Sequence, residues 1–189
     1  FVPNALPGET VSILIEEVKN SYARGCIKQI LHESVDRVAP LCELYEECGG
    51  CQLQHLSYEA QLRAKRAQVA DALIHIGKLP QIPVMETLRA EEPWNYRNKM
   101  QFPIGRNSGK IVIGCFAQGS HTIINTENCH IQRAENNDLA NAAREIAEQL
   151  HIPVYNEDTH KGVLRHIVGR VGRSNDLMAV IVTATKQLP

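Results

Sequence analysis

Short strand-like apolar runs open and close this chain. VSILIEEV (residues 11–18) and YARGCIKQIL (residues 22–31) are joined by the polar turn Lys19-Asn20-Ser21, so residues 1 to 40 read as part of a small barrel or sheet. Residues 41–56 follow neither the strand nor the helix period and contain a Gly-Gly pair; they read as a loop wrapped around something. A helix is predicted next. Ser57 can cap it, Glu59 lies in its first turn, Leu62, Val69, Leu73 and Ile76 recur at near-helical spacing, and Gly77 ends it. Beyond a Pro-containing linker at residues 79–83, KMQFPI, KIVIGCF and HTIIN predict a meander, the first two joined across Arg106-Asn107-Ser108-Gly109. A second helix is expected over residues 137–150, with Leu139, Ala143, Ile146 and Leu150 along one face and Pro153 just past its end. GVLRHIVGRVG and LMAVIVTAT, separated by Arg173-Ser174-Asn175-Asp176, close the chain as another antiparallel hairpin. The expected class is α+β, rich in antiparallel strands, with a partial OB-like barrel at the start.

Composition narrows the class of function. In 189 residues, Lys+Arg 20 stand against Asp+Glu 21, for a net charge of -1, and the hydrophobic fraction of 43% is ordinary for a soluble protein. The longest apolar run, residues 177–182, falls well short of the roughly 18 to 20 residues a membrane helix needs. The chain begins at Phe1 with neither an initiator Met nor a signal-peptide pattern, and so is expected to be a piece of something longer. Its neutrality hides segregation. Residues 94–110 carry Arg97, Lys99, Arg106 and Lys110 without an acid, and residues 160–175 carry Lys161, Arg165, Arg170 and Arg173 without one. Such local basic patches suit a polyanion partner. The first helix adds Arg63, Lys65 and Arg66, for which a solvated surface is the plain alternative.

The cysteines carry the sharper chemistry. Cys42, Cys48 and Cys51 stand in CELYEECGGC, a C-x5-C-x2-C spacing, and Gly49 and Gly50 leave amide N–H groups free to point at sulfur. Crowding of three thiols into ten residues suggests a thiolate site in a reducing compartment. Candidates for a fourth ligand are Cys129, Cys115, Cys26 and His55. Soft thiolates suit an iron-sulfur cluster or zinc, while Cys48 and Cys51 alone could form a dithiol redox pair. His55, four residues after Cys51, would complete a Cys3His zinc site. Cys26 and Cys115, inside predicted strands, read as structural.

CGGCQLQHLSYEAQLRAK, PWNYRNKMQFPI, GSHTIINTENCHIQ and GVLRHIVGRVG, in that order, resemble the RNA uracil-5-methyltransferase family, close to the bacterial 23S rRNA (uracil-5-)-methyltransferases that carry an iron-sulfur cluster. FVPNALPGETV before them resembles the end of a TRAM domain. The resemblance implies a division into residues 1–40, the C-terminal part of an OB-like TRAM domain, and residues 41–189, a central iron-sulfur and RNA-recognition domain. It further implies a [4Fe-4S] cluster on Cys42, Cys48, Cys51 and Cys129. Cys115 stands where the family commonly has an aromatic residue and gains no role; Glu43 replaces a frequent Pro.

In that family the S-adenosylmethionine site, the nucleophilic cysteine and the carboxylate base belong to a Rossmann-like domain that follows this region. The chain is therefore expected to bind RNA, 23S rRNA by the resemblance, without transferring methyl groups itself. S-adenosylmethionine enters only in the full-length enzyme, which makes 5-methyluridine. The expected setting is cytoplasmic and monomeric, away from membranes. Strand alternation places Arg97, Lys99 and Gln101 opposite Met100, Phe102 and Ile104, so the cationic face can meet phosphates while the apolar face enters a core. Arg63, Lys65, Arg66, Arg165, Arg170 and Arg173 complete the expected RNA contacts. A zinc-dependent RNA-binding module and an iron-sulfur electron-transfer protein are the alternatives from other classes.

Overall fold

The computed structural model describes residues 1–174 and 176–188. These form two compact units, residues 1–40 with 52–91, and residues 41–51 with the described residues from 92 onward. The architecture is α+β, with antiparallel sheets and two α-helices.

In the first unit, β1 (Thr10–Val18) and β2 (Ala23–His32) form a two-stranded antiparallel hairpin, with Leu14 opposite Cys26. Helix α1 (Tyr58–Asp71) starts where Ser57 accepts a hydrogen bond from the Ala60 amide at 3.4 Å, and it runs through a wider π-helical turn, Ala72–Ile76, to Gly77. Leu6, Leu56 and Ala60 form a small buried cluster. Of the apolar positions that mark the helix in the sequence, Leu62 and Leu73 are half-buried, while Val69 and Ile76 are exposed. The unit gains a polar anchor instead. The Glu9 carboxylate, only 1% exposed, accepts the Leu6 amide at 2.9 Å, the Ser34 amide at 3.4 Å and two N–H groups of Arg37.

The second unit is built on a five-stranded sheet in the order β5-β4-β3-β6-β7. Its strands are β3 (Lys99–Asn107), β4 (Lys110–Phe116), β5 (Ile123–Asn125), β6 (Leu164–Val171) and β7 (Leu177–Thr183). Asn107 pairs with Lys110, so the β3–β4 turn is the dipeptide Ser108-Gly109, with φ of 49° and 84°. Two positive φ values match the right-handed strand twist, and glycine adopts the second without steric cost. The turn Arg173-Ser174-Asn175-Asp176 includes Asn175, which lies outside the described residues.

Helix α2 (Ala134–Gln149) covers one face of this sheet over Met100, Phe102, Ile104, Ile111, Ile113, Leu164 and Ile167, all buried. It begins three residues before the expected start. Its buried face also differs from the expected Leu139-Ala143-Ile146-Leu150 line: Ala140 and Ala147 are buried and Ala143 half-buried, whereas Ile146 and Leu150 are exposed. Small residues let the helix approach the sheet closely enough for its polar side chains to reach strand backbone. Glu148 accepts from the Ile111 amide, and Arg144 donates to the carbonyls of Ile113 at 3.4 Å and Thr126 at 3.2 Å.

Candidate functional site

Residues 41–51 fold as successive tight turns. The amides of Tyr45 and Glu47 donate to the carbonyls of Cys42 and Leu44 at 3.1 and 3.2 Å, and the Cys48 amide donates to Leu44 at 2.8 Å. Buried Tyr45 anchors the loop. The chain then runs beside the end of β4: Cys48 forms an antiparallel bridge with Ala117, and the Gly49 amide donates to Phe116 O at 3.0 Å. This lateral pairing brings Cys48 to Cys115, whose thiol donates to the Cys48 sulfur. Gly50 makes the approach possible. A Cβ there would lie 3.3 Å from Cys48 Sγ and 3.5 Å from Cys115 Sγ, and the Gly50 amide itself donates to Cys48 Sγ at 3.4 Å.

The electrostatics follow from that contact. The hydrogen bond from Cys115 pulls Cys48 below the ordinary thiol range, to about 6, and the same bond holds the Cys115 proton in place and pushes that thiol up. Burial raises Cys42, which also feels Cys48 and Cys51. Burial likewise raises Cys129, opposed by amide hydrogen bonds from Ile131 and Gln132 and reinforced by the charge of Cys51 and Cys48. The tertiary structure thus gathers Cys42, Cys48, Cys51, Cys115 and Cys129 into one electrostatically connected group.

Cys129 is held from α2. Its amide donates to Asn137 Oδ1 at 3.1 Å, while Asn137 Nδ2 donates to Asn128 Oδ1 at 3.0 Å and to Cys129 O at 3.3 Å. Arg97 enters the same neighbourhood. Its backbone forms a parallel bridge with Gln132, and its guanidinium charge acts on Cys115.

Among the described residues, no group of three or more His, Cys, Asp or Glu side chains is arranged to hold a metal ion. The donor chemistry nevertheless suits an iron-sulfur cluster: Cys42, Cys48, Cys51 and Cys129 are soft thiols brought within electrostatic reach, with peptide N–H groups directed at sulfur. The two other candidate ligands lie in the first unit. Cys26 sits on β2, its thiol raised chiefly by a hydrogen bond to Glu16, and His55 is buried with its carbonyl accepting from Val38 N at 3.0 Å.

The face of the five-stranded sheet opposite α2 carries Lys99 and Gln101 of β3 and Arg170 of β6. Lys99 and Gln101 are exposed, and the register sets Lys99 directly opposite Arg170 and Gln101 opposite Val168. Cross-strand partners point to the same side, so Lys99, Gln101 and Arg170 form one patch opposite the Met100 and Phe102 core face. Arg173 is exposed just after β6. Arg165 is engaged with Glu157 at 2.9 Å and with the Tyr155 ring, whose centroid is 4.7 Å away. In the first unit Arg63 binds both Asp36 oxygens at 2.7 Å, Arg66 donates to Val84 O at 2.9 Å, and Lys65 is exposed. The expected set of basic residues therefore separates into exposed and internally bonded members.

Comparison with known proteins gives this geometry a context. Residues 1–28 match the TRAM domain. An uncharacterized RNA methyltransferase of Halalkalibacterium halodurans is 42% identical over 190 residues, and one of Bacillus cereus is 46% identical over 190 residues; each match takes in 100% of this chain and 42% of the relative. Along its whole length, the chain resembles RNA methyltransferases. A solved structure, the Pyrococcus abyssi tRNA (uracil-54, C5)-methyltransferase in complex with S-adenosyl-L-homocysteine, superposes over 100% of this chain and 42% of that one, with 26% identity and a TM-score of 0.73. The chain thus spans about two fifths of the length of these proteins.

Within this RNA methyltransferase-like chain, local patterns overlooked the part played by Asn137 and gave Cys115 and Arg97 other readings. Cys115 looks like a strand residue in KIVIGCF, yet residues 48–50 pair beside β4 and bring a sulfur to it. Asn137 looks like part of the start of a helix, yet it is the clamp on Cys129. Arg97 reads as a phosphate contact, although it also bears on the thiol group. No periodicity could reveal these: Cys48 and Arg97 reach Cys115 from other segments of the chain, and Asn137 reaches back eight residues across the turn that precedes α2.

Proposed function

We propose that this chain is the RNA-recognition portion of an S-adenosylmethionine-dependent RNA uracil-5-methyltransferase acting on 23S rRNA. It carries a [4Fe-4S] cluster on Cys42, Cys48, Cys51 and Cys129. The observation that carries the reading is the full-chain likeness to a uracil C5 methyltransferase, together with sequence similarity to RNA methyltransferases across all 189 residues. TRAM similarity at the start and the Lys99-Gln101-Arg170 patch support RNA as the partner. The residues assigned to the grip are Lys99, Gln101, Arg170 and Arg173, with Arg97 at its margin; Lys65, exposed in the first unit, is assigned a contact of its own.

A cluster bound by four protein thiolates supplies cross-linking between distant segments rather than an open iron for substrate. It would tie residues 42–51 to the Cys129 segment that Asn137 positions, and hence to the α2 side of the sheet. Methyl transfer is assigned to the part of the longer protein outside this span. A tRNA substrate is the second reading, favoured by the tRNA specificity of the structural neighbour.

The test uses the longer protein with radiolabelled S-adenosylmethionine, 23S rRNA fragments and tRNA, and identifies the product nucleoside by mass spectrometry. 5-Methyluridine in rRNA is expected; label in tRNA alone selects the second reading, and no 5-methyluridine in either rejects uracil C5 chemistry. The cluster is tested separately on anaerobically purified chain, which should hold about four iron per chain. Cys129→Ser should lose that iron. Stoichiometric zinc without iron, or retention of the cluster in Cys129→Ser, rejects this ligand assignment.

A further inference from the structure

We propose that Cys48 and Cys115 form a redox-active pair that closes to a disulfide in the metal-free chain when a hydroperoxide is present. Only the counting of Cys48 as a cluster ligand rests on the function proposed above. The thiol chemistry is independent of whether the cluster assignment is right.

Backbone pairing sets the two thiols side by side. The Cys48–Ala117 bridge and the hydrogen bond from Gly49 N to Phe116 O lay residues 48–50 antiparallel to residues 115–117. Gly50 stands between the two sulfurs without a side chain, and the space its Cβ would take is 3.3 Å from one sulfur and 3.5 Å from the other. The thiol of Cys115 is already hydrogen-bonded to the Cys48 sulfur. Charge links Cys42 to Cys48 and Cys51, and Cys129 to Cys51 and Cys48. Residues 41–51 contain turns and one bridge but no helix or strand, so the segment can shift by the small distance that separates thiol contact from a bond of roughly 2 Å.

The step balances with hydrogen peroxide as the hydroperoxide. The Cys48 sulfur attacks one peroxide oxygen; an S–O bond forms, the O–O bond breaks, and the other oxygen leaves as water after taking the thiol proton. The Cys115 sulfur then attacks the Cys48 sulfenic acid; the S–S bond forms, the S–O bond breaks, and hydroxide takes the Cys115 proton and leaves as water. Two thiols lose two electrons in all, and the peroxide is reduced to two waters. Closure withdraws Cys48 from the soft-donor group, so metal loading and peroxide would compete for one sulfur.

The experiment treats chelated, reduced and buffer-exchanged chain with one equivalent of hydrogen peroxide, alkylates it with iodoacetamide, and compares it with an untreated sample. Four of the six cysteines should take label after oxidation, and the protein mass before alkylation should fall by two hydrogens. Trypsin should then yield a linked pair of peptides, one holding Cys42, Cys48 and Cys51 and the other Cys115 and Cys129, with fragment ions assigning the bond to Cys48 and Cys115. Cys115→Ser should abolish the link and Cys129→Ser should retain it. Six labelled thiols after peroxide, a bond within Cys42–Cys51, or a bond to Cys129 would overturn the proposal. Fragment ions from the unsubstituted chain distinguish these outcomes even if a variant does not fold.

Discussion

Replacing Glu9 by Gln tests whether the first unit depends on one buried charge. The Glu9 side chain is 1% exposed and Arg37 is 15% exposed, and the hydrogen bond from Arg37 holds the carboxyl at about 2 rather than its ordinary 4.5. At about 1.4 kcal/mol per pKa unit, ionised Glu9 contributes up to about 3 kcal/mol. Removing one partner of a buried ion pair typically costs about 3 to 5 kcal/mol, and the remaining Gln oxygen can keep part of the amide bonding. A loss of about 2 to 3 kcal/mol is therefore expected at neutral pH, read from urea melts of the circular dichroism signal. Because the folded pKa is depressed, the contribution is present above about pH 4.5 and disappears as pH falls through about 2. Wild type should lose stability over that window, while Glu9→Gln should lack this part of the slope. Equal stability at pH 7, or parallel acid slopes for the two proteins, would refute the reasoning.

Three further outcomes follow from particular contacts. Lys99→Ala and Arg170→Ala should each flatten the slope of log affinity against log salt by about 0.7 for a single-stranded RNA, whereas Arg165→Ala should change it less because Glu157 already engages that cation; filter binding across a salt series checks this. Asn137→Ala should destabilise the second unit by about 1 to 3 kcal/mol by leaving the Cys129 amide without its acceptor, measured by denaturant unfolding, and should lower iron retention in the same samples. Gly114→Ala should weaken the β4–β5 edge, since the new Cβ would lie 2.0 Å from Ile124 O and 2.8 Å from Thr126 N; hydrogen exchange at Thr126 and Cys115 should accelerate.

Alternation and helical spacing alone determined the strand and helix order, because those periods record which side of a local element meets water. Thus KMQFPI disclosed that Met100, Phe102 and Ile104 face inward, and Ser57 with Gly77 bracketed the first helical region. The spacing CELYEECGGC also disclosed that thiols matter, since three soft donors in so short a span are chemically unusual. The helix α2 face was harder to read: Ile146 and Leu150 suggest a core stripe, but close sheet packing selects Ala140 and Ala147. Long-range register decided the rest. It placed Lys99 beside Arg170 and folded Cys48 against Cys115 through the gap at Gly50. A linear sequence specifies the period of each strand, but which distant residue lies across from it depends on how loops close and strands pair, and that information resides only in the tertiary structure.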